Sequence, residues 1–73
     1  MPGLPVISGR EAVRAFQRAG WRLARQESSH MILTKQGTYV VLSVPDHRTL
    51  SRGTLRSLIR KAGLDVEGFV ALL

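Results

Sequence analysis

Seventy-three residues and 8.1 kDa leave room for one small domain, residues 1–73, and exclude a multi-domain enzyme. Eleven Lys and Arg against five Asp and Glu give a formal charge of +6, while 44% hydrophobic residues exclude a disordered basic tail, so a folded basic module is expected. Without cysteine there is no disulfide framework or thiolate zinc site, which points to a reducing, cytoplasmic setting; the lack of a basic leader or a long apolar run speaks against secretion and membrane spanning.

The opening Pro2-Gly3-Leu4-Pro5 reads as an extended arm, because each proline biases its predecessor away from helix. Ser8-Gly9-Arg10-Glu11 has the form of a capping box, in which serine and glutamate satisfy each other's free amides. An amphipathic helix over residues 9–19 is predicted, with Ala12, Val13, Ala15, Phe16 and Ala19 on one side, Arg10, Arg14, Gln17 and Arg18 on the other, and Gly20 ending it. From Trp21, expected to anchor the helix-to-sheet junction, the period becomes two. Trp21, Leu23 and Arg25 alternate with Arg22, Ala24 and Gln26 in a strand that stops at Glu27-Ser28-Ser29.

Residues 30–35 and 38–44 are rich in β-formers and separated by Gln36-Gly37, which predicts a tight hairpin. Counting from that turn pairs Lys35 with Thr38, Leu33 with Val40 and Met31 with Leu42 on one face, and Thr34 with Tyr39, Ile32 with Val41 and His30 with Ser43 on the other. The face of Met31, Leu33, Val40 and Leu42 is expected to pack on helices, leaving His30 opposite, beside a patch of Ile32, Tyr39 and Val41. Pro45 ends the third strand and Asp46-His47-Arg48-Thr49 connects it to a helix starting at or just after Ser51. Leu55, Leu58, Ile59 and Ala62 form the buried stripe of that helix, Arg52, Arg56 and Arg60 its charged edge, and Gly63 its end. Asp65 caps a last short helix with Val66, Phe69, Val70 and Leu73 as its apolar side. The expected class is α+β, in the order α-β-β-β-α with a three-stranded antiparallel sheet and a short C-terminal helix.

Residues 1–62 contain eleven basic and three acidic side chains, a formal +8, whereas the last eleven residues carry −2. Nine of the eleven basic residues are arginine, whose planar fork suits phosphate. Charge alone leaves three readings open: solvated helix edges, a phosphate ligand, or an acidic protein partner. Aromatic residues make up only 5%, so backbone and shape readout are favoured over base stacking. Two histidines without cysteine do not make a usual zinc site, the carboxylates are dispersed, and there is no glycine-rich phosphate loop, so no metal or cofactor is expected. One chemistry within reach of this inventory is cleavage of RNA, whose 2′-hydroxyl attacks the adjacent phosphate once a base removes its proton. Histidine exchanges protons near neutral pH, and His30 is the candidate; a lone histidine at a strand start is also an ordinary surface residue.

Gly20-Trp21, Arg25-Gln26-Glu27-Ser28-Ser29-His30, Val44-Pro45-Asp46-His47 and the stretch Gly53-Thr54-Leu55-Arg56 through Ala62-Gly63-Leu64 together resemble the HicA (YcfA-like) toxins of toxin–antitoxin pairs, over about Val6 to Leu72. The resemblance implies a double-stranded-RNA-binding-domain-like fold and an mRNA interferase: a metal-independent endoribonuclease held inactive by a HicB-type antitoxin. It places the catalytic histidine of a Gly-Ser-His motif at His30, with Ser28 standing where the family usually has glycine. Beside it, His47 in the Val-Pro-x-His segment is a second catalytic or phosphate-contacting candidate, expected near the same end of the hairpin. Arg22, Arg25 and Arg48 are expected at that end too. Gly53 and Thr54 open the second helix and offer amides to phosphate, Arg52, Arg56 and Arg60 can track an RNA backbone, and Ile32, Tyr39 and Val41 can meet the antitoxin. A non-catalytic RNA-binding module of the same fold, and a small protein whose basic face serves only an acidic partner, are the competing readings.

Overall fold

A computed structural model describes residues 3–73, so Met1 and, of the expected arm, Pro2 lie outside the described residues. Helix α1 (Gly9–Arg18) is followed by strands β1 (Arg22–Glu27), β2 (His30–Thr34) and β3 (Leu42–Pro45), then helices α2 (Arg52–Lys61) and α3 (Val66–Val70). The sheet is antiparallel in the order β1-β2-β3. This is the expected α+β order with the short helix appended.

The helix ends form as their sequence signals require. The Glu11 amide donates to Ser8 Oγ (3.1 Å) and the Ser8 amide donates to Glu11 Oε1 (3.0 Å), a complete capping box. Gly20 (φ +97°) and Gly63 (φ +77°) take the left-handed conformation that ends α1 and α2. Asp65 caps α3 through the Gly68 amide (2.7 Å). Five residues are too few for a helix stable by itself. Phe69, fully buried with its ring centroid 5.0 Å from that of Phe16, holds α3 against α1. Burial of such a side chain is worth roughly 1.5–3 kcal/mol. Arg18 adds a hydrogen bond from Nη1 to the Leu72 carbonyl (2.6 Å). Of the expected apolar side of α3, only Phe69 is buried; Val66 and Val70 are half-buried and Leu73 is exposed.

One cluster joins Ala12, Val13, Ala15 and Phe16 of α1, Leu55, Leu58 and Ile59 of α2, and Met31, Leu33, Leu42 and Val44 of the sheet. Both long helices therefore cover one face of the sheet and leave the other free. Trp21 is buried at the junction as expected, with the Lys35 ammonium 5.9 Å from its ring centroid.

The β2–β3 connection departs from the tight hairpin. The turn is at Gln36-Gly37, with Gly37 at φ +91°, yet Leu33 pairs with Leu42, Ile32 with Ser43, Met31 with Val44 and His30 with Pro45, two residues beyond the predicted register. An even offset preserves which face each side chain occupies. It also draws Val44 into the core beside Leu42, both with no exposed surface, and expels Val40, which is 39% exposed. Residues 38–41 consequently leave the ladder, and Tyr39 has no strand partner.

Candidate nucleic-acid interface

His30 follows a two-residue turn whose first member, Ser28, has φ +55°, the one non-glycine residue with positive φ among those described. The left-handed geometry that glycine favours is thus adopted by serine here, at a cost of about 1 kcal/mol. His30 is exposed, and its neighbours across the strands are Glu27 on one side and Pro45 on the other.

Strict alternation in β1 would separate Arg22 from Arg25. Leu23 pairs with Leu33 but Arg25 pairs with Ile32, so Ala24 is an extra residue, a β-bulge. Leu23 and Gln26 consequently share the helix-covered face with Leu33 and Met31, while Arg22, Arg25 and Glu27 share the free face with Thr34, Ile32 and His30. Arg25 and Glu27 form an ion pair through Nε and Oε2, with both side chains more than half exposed. Arg22 shares the face but not the end. It pairs with Thr34, four residues along β2 from His30, or roughly 13 Å away along the sheet. That corrects the expected clustering of Arg22 beside His30; the bulge adds a residue without shortening the strand.

The loop bearing His47 is fastened next to the same turn. The Asp46 amide donates to the Ser29 carbonyl (2.7 Å), and the Gly9 amide donates to the His47 carbonyl (2.9 Å). Arg10 grips Asp46 with two hydrogen bonds, Nε to Oδ1 (3.2 Å) and Nη2 to Oδ2 (3.3 Å). These bonds, and then the charge of Asp46, raise the Arg10 pKa above its ordinary value. Gly9 is obligatory at this contact, since a Cβ there would lie 2.0 Å from the Pro45 carbonyl oxygen. His47 itself is exposed, as is Arg48 beside it. Gly9, Ala24 and the Arg10–Asp46 pair were not identifiable as site-shaping residues from the chain alone, because each depends on a strand or loop distant in sequence.

At the start of α2, Ser51 Oγ accepts from the Thr54 amide (3.2 Å) and donates to Thr54 Oγ1 (2.8 Å). Thr54 is therefore engaged in the cap, which leaves the first-turn amides of Arg52 and Gly53 for an external anion. Nothing crowds Gly53. Arg56 and Arg60, both exposed, line a groove of about 240 Å³ with Leu64 and Val66, in the helical layer and away from the face of His30. A second groove of about 350 Å³, floored by Val13, Leu23 and Met31 and rimmed by Arg10 and Arg14, also lies on the helix side. The expected patch of Ile32, Tyr39 and Val41 does not assemble. Ile32 lies buried between Arg25 and Ser43, while Tyr39 and Val41 project from the connection outside the ladder.

Among the described residues no three His, Cys, Asp or Glu side chains gather in a way that could hold a metal ion, and no helix is long and apolar enough to cross a membrane. A family model described as the HicA toxin of bacterial toxin–antitoxin systems matches residues 9–64 of the 73-residue chain. The chain belongs to the HicA toxin family. No curated protein matches it. The HicA match begins at Gly9, which seats the His47 loop, and ends at Leu64, just past the close of α2; it thus spans both histidines and the bulged strand. As a HicA toxin, the protein is one half of a toxin–antitoxin system and has an antitoxin as partner.

Proposed function

We propose that this HicA-family toxin is an mRNA interferase, an endoribonuclease acting in the cytoplasm with His30 as general base or acid and restrained by a HicB-type antitoxin. The observation that carries the reading is the bulge at Ala24, through which Arg25 shares the free sheet face with His30 in a chain of the HicA family. In the reaction a base takes the proton of the RNA 2′-hydroxyl and the oxygen attacks the adjacent phosphorus. Arginine offsets the extra charge of the five-coordinate phosphorane, and an acid returns a proton to the departing 5′-oxygen. The products are a 2′,3′-cyclic phosphate and a 5′-hydroxyl. Because RNA supplies the nucleophile, the step calls for no metal or cofactor. His47, in a loop pinned to the turn before His30, is the second proton carrier or a phosphate contact. Arg25 and Arg48 serve the nearest phosphates, while Arg22 and the α2 residues Arg52, Arg56 and Arg60, with the Gly53 amide, serve others along the backbone, and Thr54 supports the helix cap.

A second reading, a non-catalytic RNA-binding module, is favoured by Glu27, whose carboxylate stands directly across from His30 and occupies Arg25. The two separate on end-group analysis. Purified protein incubated with RNA should leave 2′,3′-cyclic phosphate ends, and His30→Ala should lower the rate by at least about 100-fold while retaining RNA binding. Salt-sensitive binding with no such ends from the unaltered protein would establish the module instead.

A further inference from the structure

The outer edge of β3 and the residues that feed it form an unprotected β-edge. From Gln36 to Pro45 no side chain is charged. Tyr39, Val40 and Val41 are consecutive, and all three are among the exposed large hydrophobic residues, Tyr39 completely so. Among the described residues 38–41, the Val40 amide donates to Thr38 Oγ1 (3.1 Å), and no backbone-to-backbone bond is made outside the strands. Nor, among the described residues, does any loop make a backbone bond across the outer edge of β3. Proteins ordinarily blunt such an edge with lysine, proline, a bulge or a covering element. β1 shows this protection, with charged side chains and the bulge at Ala24.

We infer that residues 39–43 receive an extended, acidic strand of the antitoxin, which enlarges the sheet to four strands. Main-chain hydrogen bonds supply affinity in such an addition and alternate side chains supply specificity. Tyr39, Val40 and Val41 meet apolar side chains of the incoming strand. Its carboxylates are matched by Lys35 and Lys61, the only lysines of the chain, which line one depression of about 330 Å³ with Gly37 and Thr38 and without any acidic residue. The same charge disfavours a second copy of the protein as occupant, since pairing along this edge brings together two chains of formal charge +6. At its far end the edge reaches Pro45, across from His30 and two residues before His47, so a strand laid along it ends beside the proposed reaction centre. The inference rests on the toxin–antitoxin reading and not on catalysis.

The test is hydrogen exchange on the full chain, carrying His30→Ala for safe production, alone and with the antitoxin of its own pair. Amides of residues 39–43 should slow by at least about tenfold in the complex while those of β1 keep their free rates. The double substitution Val40→Lys, Val41→Lys should weaken antitoxin binding by about 100-fold and leave the melting temperature of the free chain unchanged. A complex that forms without protecting 39–43, a free chain that sediments as a dimer with these amides already protected, or an RNA oligonucleotide that protects them equally would each overturn the inference. Absence of RNA cleavage by the unaltered chain would overturn the proposed activity alone.

Discussion

Along β1 every residue is exposed, three of the six are charged, and a bulge interrupts the strand; β3 instead buries Leu42 and Val44 completely and is preceded by the apolar, unpaired residues 39–41. The one apolar β1 side chain directed toward the helices beyond the bulge residue, Leu23, remains 45% exposed. β1 therefore adds little to the core, and its composition serves the arginine-bearing free face, whereas β3 supplies stability and an edge still capable of pairing. Such a division lets a small chain carry both a solvated polar site and a sufficient core, because each edge strand meets only one of the two demands.

Substitutions of equal chemistry on the two strands test the division most severely. Leu42→Ala should cost about 3 kcal/mol and Leu23→Ala less than about 1 kcal/mol, read from urea unfolding midpoints at constant slope. Equal losses would show that β1 is as much a part of the core as β3. Next in size is Gly9→Ala, which at a first-turn position ordinarily favours a helix but here drives a methyl group into the Pro45 carbonyl. A loss of about 2 kcal/mol is expected, together with faster exchange of the Asp46 amide, and a gain in stability would refute the clamp at the end of β3. Smaller again, Ser28→Gly should stabilise the protein by about 0.5 kcal/mol, as relief of the left-handed strain is partly offset by the greater freedom of glycine in the unfolded chain.

The smallest effect belongs to the capping box that begins α1. Hydrogen bonding to Ser8, first from its backbone amide, holds the Glu11 carboxyl below the usual glutamate range. A folded-state pKa below the unfolded one gives stability that is present above the unfolded value and disappears as pH falls through the folded value. The melting-temperature difference between the unaltered protein and Glu11→Gln should accordingly be constant above about pH 5 and close below about pH 4. A difference that persists to lower pH would dissociate the carboxylate charge from the cap.

Local signals in the chain account for the element order, the helix caps, the buried faces of α1 and α2, and the separation of Met31, Leu33 and Leu42 from His30. These follow from hydrogen-bonding geometry and periodicity within a few residues. The same sequence carries the family resemblance and singles out both histidines. Tertiary structure decided the strand registers: the two-residue offset that exchanged Val40 for Val44 in the core, and the bulge that turned Arg25 toward the face of His30. It also decided the seating of the His47 loop on Gly9 and Arg10. Period-two patterning tells which side chains agree on a face but not how far one strand slides along another. That choice is made by the volume the helices leave to be filled and by contacts between segments more than thirty residues apart.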